Sequence, residues 1–242
     1  MAAIRNPQSA IRNTIDHKIP LRDVIPSRTT PYITITIIGL NAIAWLFEIS
    51  LPHEALNEFL TVYGVVPAYF TWPTLITSMF LHGGWMHFIG NMWYLWIFGD
   101  NVEDRVGHGR FIVFYLLCGI AAALGQVVID PGSTLPTIGA SGAIAGIMGA
   151  YFVLYPRSRV LTLIFLIFYV DVVEIPAVVF LGFWFLMQLV SGVGALADAT
   201  GQAAGGIAFW AHVAGFVAGA ALVKLFARPV ADEWWDRQVQ SE

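Results

Sequence analysis

Long apolar stretches, separated by short polar or proline-containing segments, dominate this chain. Six of them can be recognised, and they cover residues 32–50, 74–99, 109–129, 141–155, 160–190 and 206–226. Most have about the 20 residues that an α-helix needs to cross a bilayer. The pattern therefore predicts an all-α fold, a polytopic membrane protein whose transmembrane helices pack as a bundle.

Composition supports this interpretation. Of the 242 residues, 57% are hydrophobic and 12% are charged, and the mean hydropathy is +0.71. These values exclude an ordinary soluble globular domain. The single cysteine, Cys118, lies inside an apolar stretch and has no partner for an intramolecular disulfide.

Basic residues occupy every second connection between the apolar stretches. All twelve Lys and Arg residues fall before the first stretch, between the second and third, between the fourth and fifth, or at the end of the sixth and beyond it. The connections without Lys or Arg are 51–73, 130–140 and 191–205. Because basic loops stay in the cytoplasm, this distribution predicts six spans with both termini cytoplasmic.

The same distribution divides the chain into three parts. Residues 1–31 are polar, contain four prolines and lack the apolar core of a signal peptide. We expect a cytoplasmic N-terminal arm at 1–31, a six-span membrane domain at 32–228 and a cytoplasmic C-terminal tail at 229–242.

The fifth apolar stretch, residues 160–190, is too long for one upright span. Acidic residues favour the first turn of a helix and proline tolerates its first positions, so Asp171, Glu174 and Pro176 predict that the fifth span begins there. Residues 160–171 are then expected to lie along the cytoplasmic interface. Alternatively, they extend the fifth span as one long tilted helix.

The fourth stretch is too short and carries a hydroxyl group. The 14 residues from Gly142 to Tyr155 extend roughly 21 Å as a helix, less than the roughly 30 Å of the hydrocarbon core. If Pro156 marks its cytoplasmic end, Ser141 lies on the order of 10 Å below the outer surface. Non-helical backbone at that depth must be buried in protein or line a water-filled cavity, so we expect water to reach Ser141.

The last span offers a base at a matching depth. His212 is the only ionisable residue between Gly206 and Val223, and it lies roughly 9 Å below the same surface. A serine among small residues is by itself ordinary packing surface, whereas a histidine inside a span is a functional candidate. Small residues at four-residue spacing let helices approach closely, and both spans have such a stripe. The stripes are Gly142, Gly146 and Ala150 in the fourth span, and Ala211, Gly215 and Gly219 in the sixth.

Further polar residues follow a glycine break in the second stretch. Gly83 and Gly84 are expected to leave a shortened helix from Trp85 to Gly99, with His87 and Asn91 four residues apart on one face. A histidine and an asparagine can donate hydrogen bonds to the oxyanion that forms during acyl transfer. The alternative is a metal site with two histidines and a carboxamide, although the HExxH motif is absent and no carboxylate stands nearby. His82 precedes the break and is expected to anchor the loop by hydrogen bonds.

These residues together resemble the signatures of rhomboid intramembrane serine proteases. The matching segments, in the family's order, are His82-x4-His87-x3-Asn91, "EDRVG" at 103–107, "GASG" at 139–142 and "AHVAG" at 211–215. The resemblance runs from about residue 20 to residue 226, and "IPLRDVIPSRTTP" is similar to the start of bacterial members.

The resemblance implies a six-helix bundle that hydrolyses peptide bonds within or beside transmembrane segments of other proteins. By motif position, Ser141 is the nucleophile, His212 is the general base, and His87 with Asn91 helps to form the oxyanion hole. His82, Gly139, Gly142 and Gly215 are expected to be structural residues near the site. The expected partners are transmembrane substrates and the lipid bilayer, with no nucleic acid, cofactor or metal. The expected location is the inner membrane of a bacterial cell.

Two positions depart from the family pattern. Many members have a Trp-Arg pair in the first outer loop, but here Pro73 follows Trp72. Many also place an aromatic residue four positions after the serine, against the histidine, and this position is Ala145. No Asp or Glu lies within the fourth or sixth span, so packing and hydrogen bonds must orient His212.

Two other functional classes are compatible with a polytopic membrane protein. A catalytically silent relative would bind transmembrane clients as a scaffold, but it would have no need for both Ser141 and His212. A small transporter would place polar residues near the bilayer midplane, but no inverted repeat or pair of broken helices is visible. A serine-directed fluorophosphonate distinguishes the three classes, because only the protease is expected to react.

Overall fold

The structure is a computed structural model that describes residues 23–166, 169–197 and 208–228. Most of the predicted N-terminal arm and the whole predicted C-terminal tail, residues 229–242, lie outside the described residues.

The described residues form eight α-helices and one two-stranded sheet. The helices are α1 (Tyr32–Glu48), α2 (His53–Tyr63), α3 (Thr74–Thr77), α4 (Trp85–Val106), α5 (His108–Ile129), α6 (Ser141–Leu154), α7 (Ala177–Ala197) and α8 (Phe209–Phe226). The strands are β1 (Arg159–Leu166) and β2 (Tyr169–Pro176), and short 3-10 turns cover Pro67–Tyr69 and Ser78–Phe80. The prediction of a helical fold is therefore correct for most of the chain and wrong for the segment that forms β1 and β2.

Three helices are long and apolar enough to cross a membrane. They are α5, most of α7 (Ala177–Leu196) and α8. Two others, α1 and α6, are apolar but shorter. Within the described residues, three helices thus meet the length criterion for a span. The full count of six spans stays a prediction.

Helix α6 forms the centre of the bundle. Its residues are buried without interruption from Gly142 to Tyr151, and it packs against α4, α5 and α8. A helix that is buried on all sides needs small side chains wherever a neighbour crosses closely. Gly142 faces Ala122 of α5, and Gly146 faces Cys118 of the same helix.

The predicted small-residue stripes of α6 and α8 lie against each other. A side chain on Gly215 would overlap the carbonyl oxygen of Gly142, and one on Gly219 would overlap the carbonyl oxygen of Gly146. Gly149 approaches the backbone of Phe216 in the same way. Since the two backbones touch over more than two turns, the relative position of α6 and α8 is fixed by glycine.

An antiparallel hairpin precedes the fifth apolar helix. Strand β1 pairs with β2 from Arg159 opposite Pro176 to Leu166 opposite Tyr169. The alternative that residues 160–171 extend the fifth span as one long helix is therefore wrong, whereas their location along the cytoplasmic interface stays a prediction. The segment is rich in β-branched residues, which favour strands. The fifth helix does begin at Ala177, directly after the predicted Pro176, but Asp171 and Glu174 belong to β2.

Helix α4 begins at Trp85 as predicted but continues to Val106, seven residues beyond the predicted end at Gly99. Its last turns contact the first turn of α1. The buried carboxylate of Glu103 accepts hydrogen bonds from the backbone N–H groups of Ile33 (3.0 Å) and Thr34 (2.8 Å). These N–H groups belong to the first turn of α1, where a helix has unpaired donors and favours negative charge.

The segments that contain the basic connections meet at one end of the bundle. Val24 donates a backbone hydrogen bond to Arg159 (3.3 Å), and Arg228 donates one to Arg105 (2.9 Å). At the opposite end, Val65 pairs with Thr137 in a short β-bridge. The connections with and without Lys or Arg that the structure describes therefore lie at different ends, as the alternating charge pattern requires.

Candidate active site

Ser141 is the first residue of α6 and follows a sharp backbone turn. Gly139 has φ of 119°, a left-handed conformation that glycine adopts without strain. The N–H of Gly139 donates to the carbonyl oxygen of Ser78 at 2.8 Å, which fixes the turn to the loop before α4. Ser141 therefore lies at a helix N-terminus, where the first backbone N–H groups have no partner within the helix.

The hydroxyl of Ser141 lies against His212. Its Oγ atom is 2.8 Å from Nε2 of His212, which lies in the first turn of α8. The glycine contacts between α6 and α8 produce this approach, since they leave no side chain between the two backbones. A hydroxyl and an imidazole at this distance have the geometry of a nucleophile and its general base.

A third side chain binds the other nitrogen of the imidazole. Nδ1 of His212 is 2.8 Å from Oε1 of Gln188 on α7. The indole ring of Trp184, one turn earlier on α7, packs beside the imidazole with a centroid distance of 5.8 Å. The sequence analysis did not identify either residue. The available signal was a polar amide in the middle of an apolar span.

The hydrogen bonds of His87 define its tautomer. The backbone N–H of Gly83 donates to Nδ1 of His87 at 3.2 Å. A neutral imidazole that accepts at Nδ1 carries its hydrogen on Nε2. That Nε2 atom faces Gly139, since a Cβ at Gly139 would lie 2.6 Å from it and 3.5 Å from Ser141 Oγ. His87 thus presents a hydrogen-bond donor towards the turn that carries Ser141.

Asn91 lies one helical turn after His87. Its side chain is buried, and its Nδ2 donor has no hydrogen-bond partner in the described part of the chain. A buried amide donor without a partner costs free energy unless a ligand or water accepts its hydrogen bond. Asn91 is therefore a second donor that is available to a group bound beside Ser141.

A cavity of about 790 Å³ connects these side chains. Ser141, His212, His87 and Asn91 all line it, together with small or apolar residues of α5, α6 and the 136–139 loop. The cavity has the size range of small-molecule and peptide side-chain sites. It gives Ser141 access to a ligand although the neighbouring turns of α6 are buried.

His82 supports the loop before α4 through its backbone. Its N–H donates to Oε2 of the buried Glu48 at 2.9 Å. The ring is 1% exposed and packs edge-on against Trp45 and Phe88. The loop is thus held here by a backbone hydrogen bond of His82 and by aromatic packing of its ring.

The two departures from the family pattern have different surroundings. Trp72 is 71% exposed, and Pro73 follows it at the start of α3. Ala145 is fully buried in α6. The aromatic ring beside His212 is instead Trp184 from α7. Within the described residues, no group of three His, Cys, Asp or Glu side chains is placed to hold a metal ion.

Comparison with known proteins decides the family. The family model for the Rhomboid domain matches residues 69–229 of this chain. These residues include α3 to α8 and every side chain of the cavity described above. The chain belongs to the rhomboid family. This rhomboid is accordingly an integral membrane protein with a predominantly helical fold.

Individual relatives support the same assignment. This rhomboid is 35% identical to YdcA of Bacillus subtilis (strain 168) over 127 residues, which cover 51% of this chain and 62% of YdcA. It is 28% identical to Rhomboid-like protein 11, chloroplastic, of Arabidopsis thaliana over 198 residues, covering 78% of this chain and 66% of the relative. Rhomboid protease GluP of Bacillus subtilis (strain 168) is 42% identical over 79 residues, covering 33% of this chain and 15% of GluP. The chain spans less than two-thirds of the length of each of these relatives.

Proposed function

We propose that this rhomboid is an intramembrane serine endopeptidase that uses Ser141 and His212 as a catalytic dyad. The observation that carries the proposal is the 2.8 Å distance between Ser141 Oγ and His212 Nε2 inside a cavity. The similarity to GluP, a relative named as a rhomboid protease, supports the same reaction class.

The reaction proceeds in two stages. Nε2 of His212 takes the hydroxyl proton as Ser141 Oγ attacks the scissile carbonyl carbon, and the imidazolium then gives that proton to the leaving amine. An acyl-enzyme remains. In the second stage a water molecule loses a proton to His212, attacks the ester carbonyl and releases Ser141 with its proton restored.

Negative charge develops on the carbonyl oxygen in both stages. Nε2–H of His87, Nδ2–H of Asn91 and the free N–H groups at the start of α6 are proposed to donate to that oxygen. Donors that are already oriented in a site shielded from water stabilise a developing oxyanion strongly. His82, Gly139, Gly142 and Gly215 are proposed to hold this arrangement in place.

The proposed substrates are transmembrane segments of other proteins. A peptide bond within a helix is shielded by its own backbone hydrogen bonds, so the substrate must unwind locally before Ser141 can reach it. We also propose the six-span topology with both termini cytoplasmic and Ser141 towards the outer surface. The contacts among the basic connections at one end of the bundle support this topology.

Cleavage of a transmembrane reporter by purified protein in liposomes tests the proposal. Because nucleophile and base act as one unit, Ser141→Ala and His212→Ala should each abolish cleavage, and the double variant should be scarcely worse. Appreciable turnover by Ser141→Ala would exclude the serine mechanism. Binding of the reporter without cleavage by the wild type would identify a scaffold, and loss of wild-type cleavage in a chelator would indicate a metal-dependent reaction.

A further inference from the structure

Gln188 is a polar residue in a helix that is otherwise suited to lipid. Helix α7 contains no Asp, Glu, Lys or Arg. Only 17% of its apolar 18-residue segment is buried inside the bundle. An amide in such a helix usually has a specific partner, because an unpaired polar group in hydrocarbon is costly. Here that partner is Nδ1 of His212, at 2.8 Å.

The chemistry of the dyad decides the direction of this hydrogen bond. His212 can accept the Ser141 proton only if Nε2 has a free lone pair, so the hydrogen of the neutral ring must be on Nδ1. An Nδ1–H group needs an acceptor, and Oε1 of Gln188 lies at hydrogen-bonding distance. The amide oxygen therefore favours the tautomer in which His212 is a competent base.

Trp184 packs against the ring of His212 and restricts the orientation of the imidazole. It is four residues before Gln188, so both side chains project from one face of α7. The Trp184 and His212 rings have an interplanar angle of 38°, and Trp184 also packs 6.2 Å from the ring of Phe216. Helix α6 offers only the methyl group of Ala145 at the position where an aromatic residue would otherwise stand. The aromatic contact and the Nδ1 hydrogen bond of His212 therefore both come from α7.

We propose that Gln188 is a positioning residue for His212, which holds the Nδ1–H tautomer and aims Nε2 at Ser141, with Trp184 packing on the ring. This inference rests on the proposed serine-protease function. Gln188 does not touch the reacting atoms and exchanges no proton with the substrate. Its amide is neutral, so it orients the ring without the electrostatic stabilisation that a carboxylate would give to an imidazolium.

Three variants test this role by steady-state kinetics in liposomes. Gln188→Leu keeps the size of the side chain and removes the acceptor, so kcat should fall about 10-fold to 100-fold while KM stays nearly unchanged, because the tautomer matters in the transition state. Gln188→Glu keeps an acceptor and should retain most of the activity. Ser191→Ala, on the same helix, should behave as the wild type.

The pH profile adds a measurement that a purely structural role would not change. A carboxylate at position 188 would stabilise the imidazolium, so the acid limb of kcat/KM for Gln188→Glu should move up by about one pH unit. The titratable group in the described structure that acts electrostatically on His212 is His87. Since α6 and α7 contain no Asp, Glu, Lys or Arg, the new carboxylate would be the dominant charge beside the ring.

Nitrogen-15 NMR of histidine-labelled protein tests the hydrogen bond without catalysis. The wild type should show the His212 hydrogen on Nδ1, and Gln188→Leu should show a mixture of tautomers or the Nε2–H form. Unchanged kcat and an unchanged tautomer in Gln188→Leu would overturn the inference. If Gln188→Leu fails to fold, an unshifted acid limb in Gln188→Glu overturns it instead. Absence of wild-type hydrolysis would refute the proposed function, while the tautomer still tests the contact between Gln188 and His212.

Discussion

Gly215 and Gly142 bring the backbones of α8 and α6 into direct contact, so that any side chain on Gly215 would overlap the Gly142 carbonyl oxygen. Gly219 and Gly146 repeat the contact one turn further along the two helices. The pairing places His212, three residues before Gly215, beside Ser141, the residue before Gly142. The geometry of the candidate dyad therefore depends on glycines that have no chemical role.

Gly219→Ala tests this dependence. The added methyl group must push α8 away from α6, so we expect a loss of about 1–3 kcal/mol in stability and a marked loss of reporter cleavage. Gly39→Ala in α1 is the control, because nothing lies within 4 Å of a Cβ at that position. Thermal unfolding in detergent and the cleavage rate measure the two effects. Equal behaviour of the two variants would show that the helix contact does not set the site.

Replacement of His87 or Asn91 tests oxyanion stabilisation. Loss of one such donor in a soluble protease reduces turnover roughly 10²-fold to 10³-fold. Here each alanine variant should lose about 10-fold to 100-fold, since the N–H groups at the start of α6 share the task. The loss should appear mainly in kcat, because the hydrogen bonds strengthen in the transition state. Unchanged turnover with collapsed stability would make both residues packing elements of α4.

Thiol labelling tests access to Ser141 from the outer surface. In Ser141→Cys protein that also carries Cys118→Ala, a small polar thiol reagent added outside intact cells should react at position 141, because the cavity reaches that side chain. The Cys118→Ala protein is the control. Reaction only from the cytoplasmic side would contradict both the topology and the expected depth of Ser141.

Much of the fold follows from residues with strong local preferences. Gly83 and Gly84 set the start of α4, and Pro176 sets the start of α7, because glycine and proline restrict where a helix begins. The spacing of small residues likewise predicted which faces of α6 and α8 meet.

The sequence predictions failed where the local residue pattern fits both helix and strand, or where the structure depends on a partner distant in the sequence. A continuous apolar run such as residues 160–166 is compatible with a buried helix or a strand, and its pairing with 169–176 appears only in three dimensions. The part of α4 beyond Gly99 contains Glu103, whose partners, Ile33 and Thr34, are 70 and 69 residues away and are not visible in the local pattern. Gln188 was missed for the same reason, because its partner lies on another helix.

Asp23 predicts a pH dependence of stability at the end of the bundle that contains the basic connections. Its buried carboxyl group accepts hydrogen bonds from Asn101 Nδ2 at 2.7 Å and from the Tyr151 hydroxyl. Burial, with a smaller contribution from the charge of Asp100, raises the pKa of Asp23 to about 8. Above its ordinary pKa of 3.8 the unfolded chain has lost this proton while the folded chain keeps it. Stability is therefore greatest at low pH and is lost as the pH rises towards about 8.

Thermal unfolding of wild type and Asp23→Asn at about pH 5 and about pH 8 measures this effect. The wild type should lose stability between the two values, whereas Asp23→Asn, which stays neutral, should lose less. Asp130→Asn, in the connection between α5 and α6, controls for the removal of one negative charge. A wild-type midpoint that rises with pH, or an equal loss in Asp23→Asn, would contradict the assignment.

Covalent labelling of purified protein with a fluorophosphonate, followed by peptide mapping, tests the central claim most directly. Oγ of Ser141 should attack the phosphorus atom and displace fluoride much faster when His212 removes its proton. We expect one adduct on Ser141, no adduct in Ser141→Ala and strongly slowed labelling in His212→Ala. Absence of an adduct in active wild-type protein, or an adduct on another serine that persists in Ser141→Ala, would contradict the assignment of Ser141 as the nucleophile.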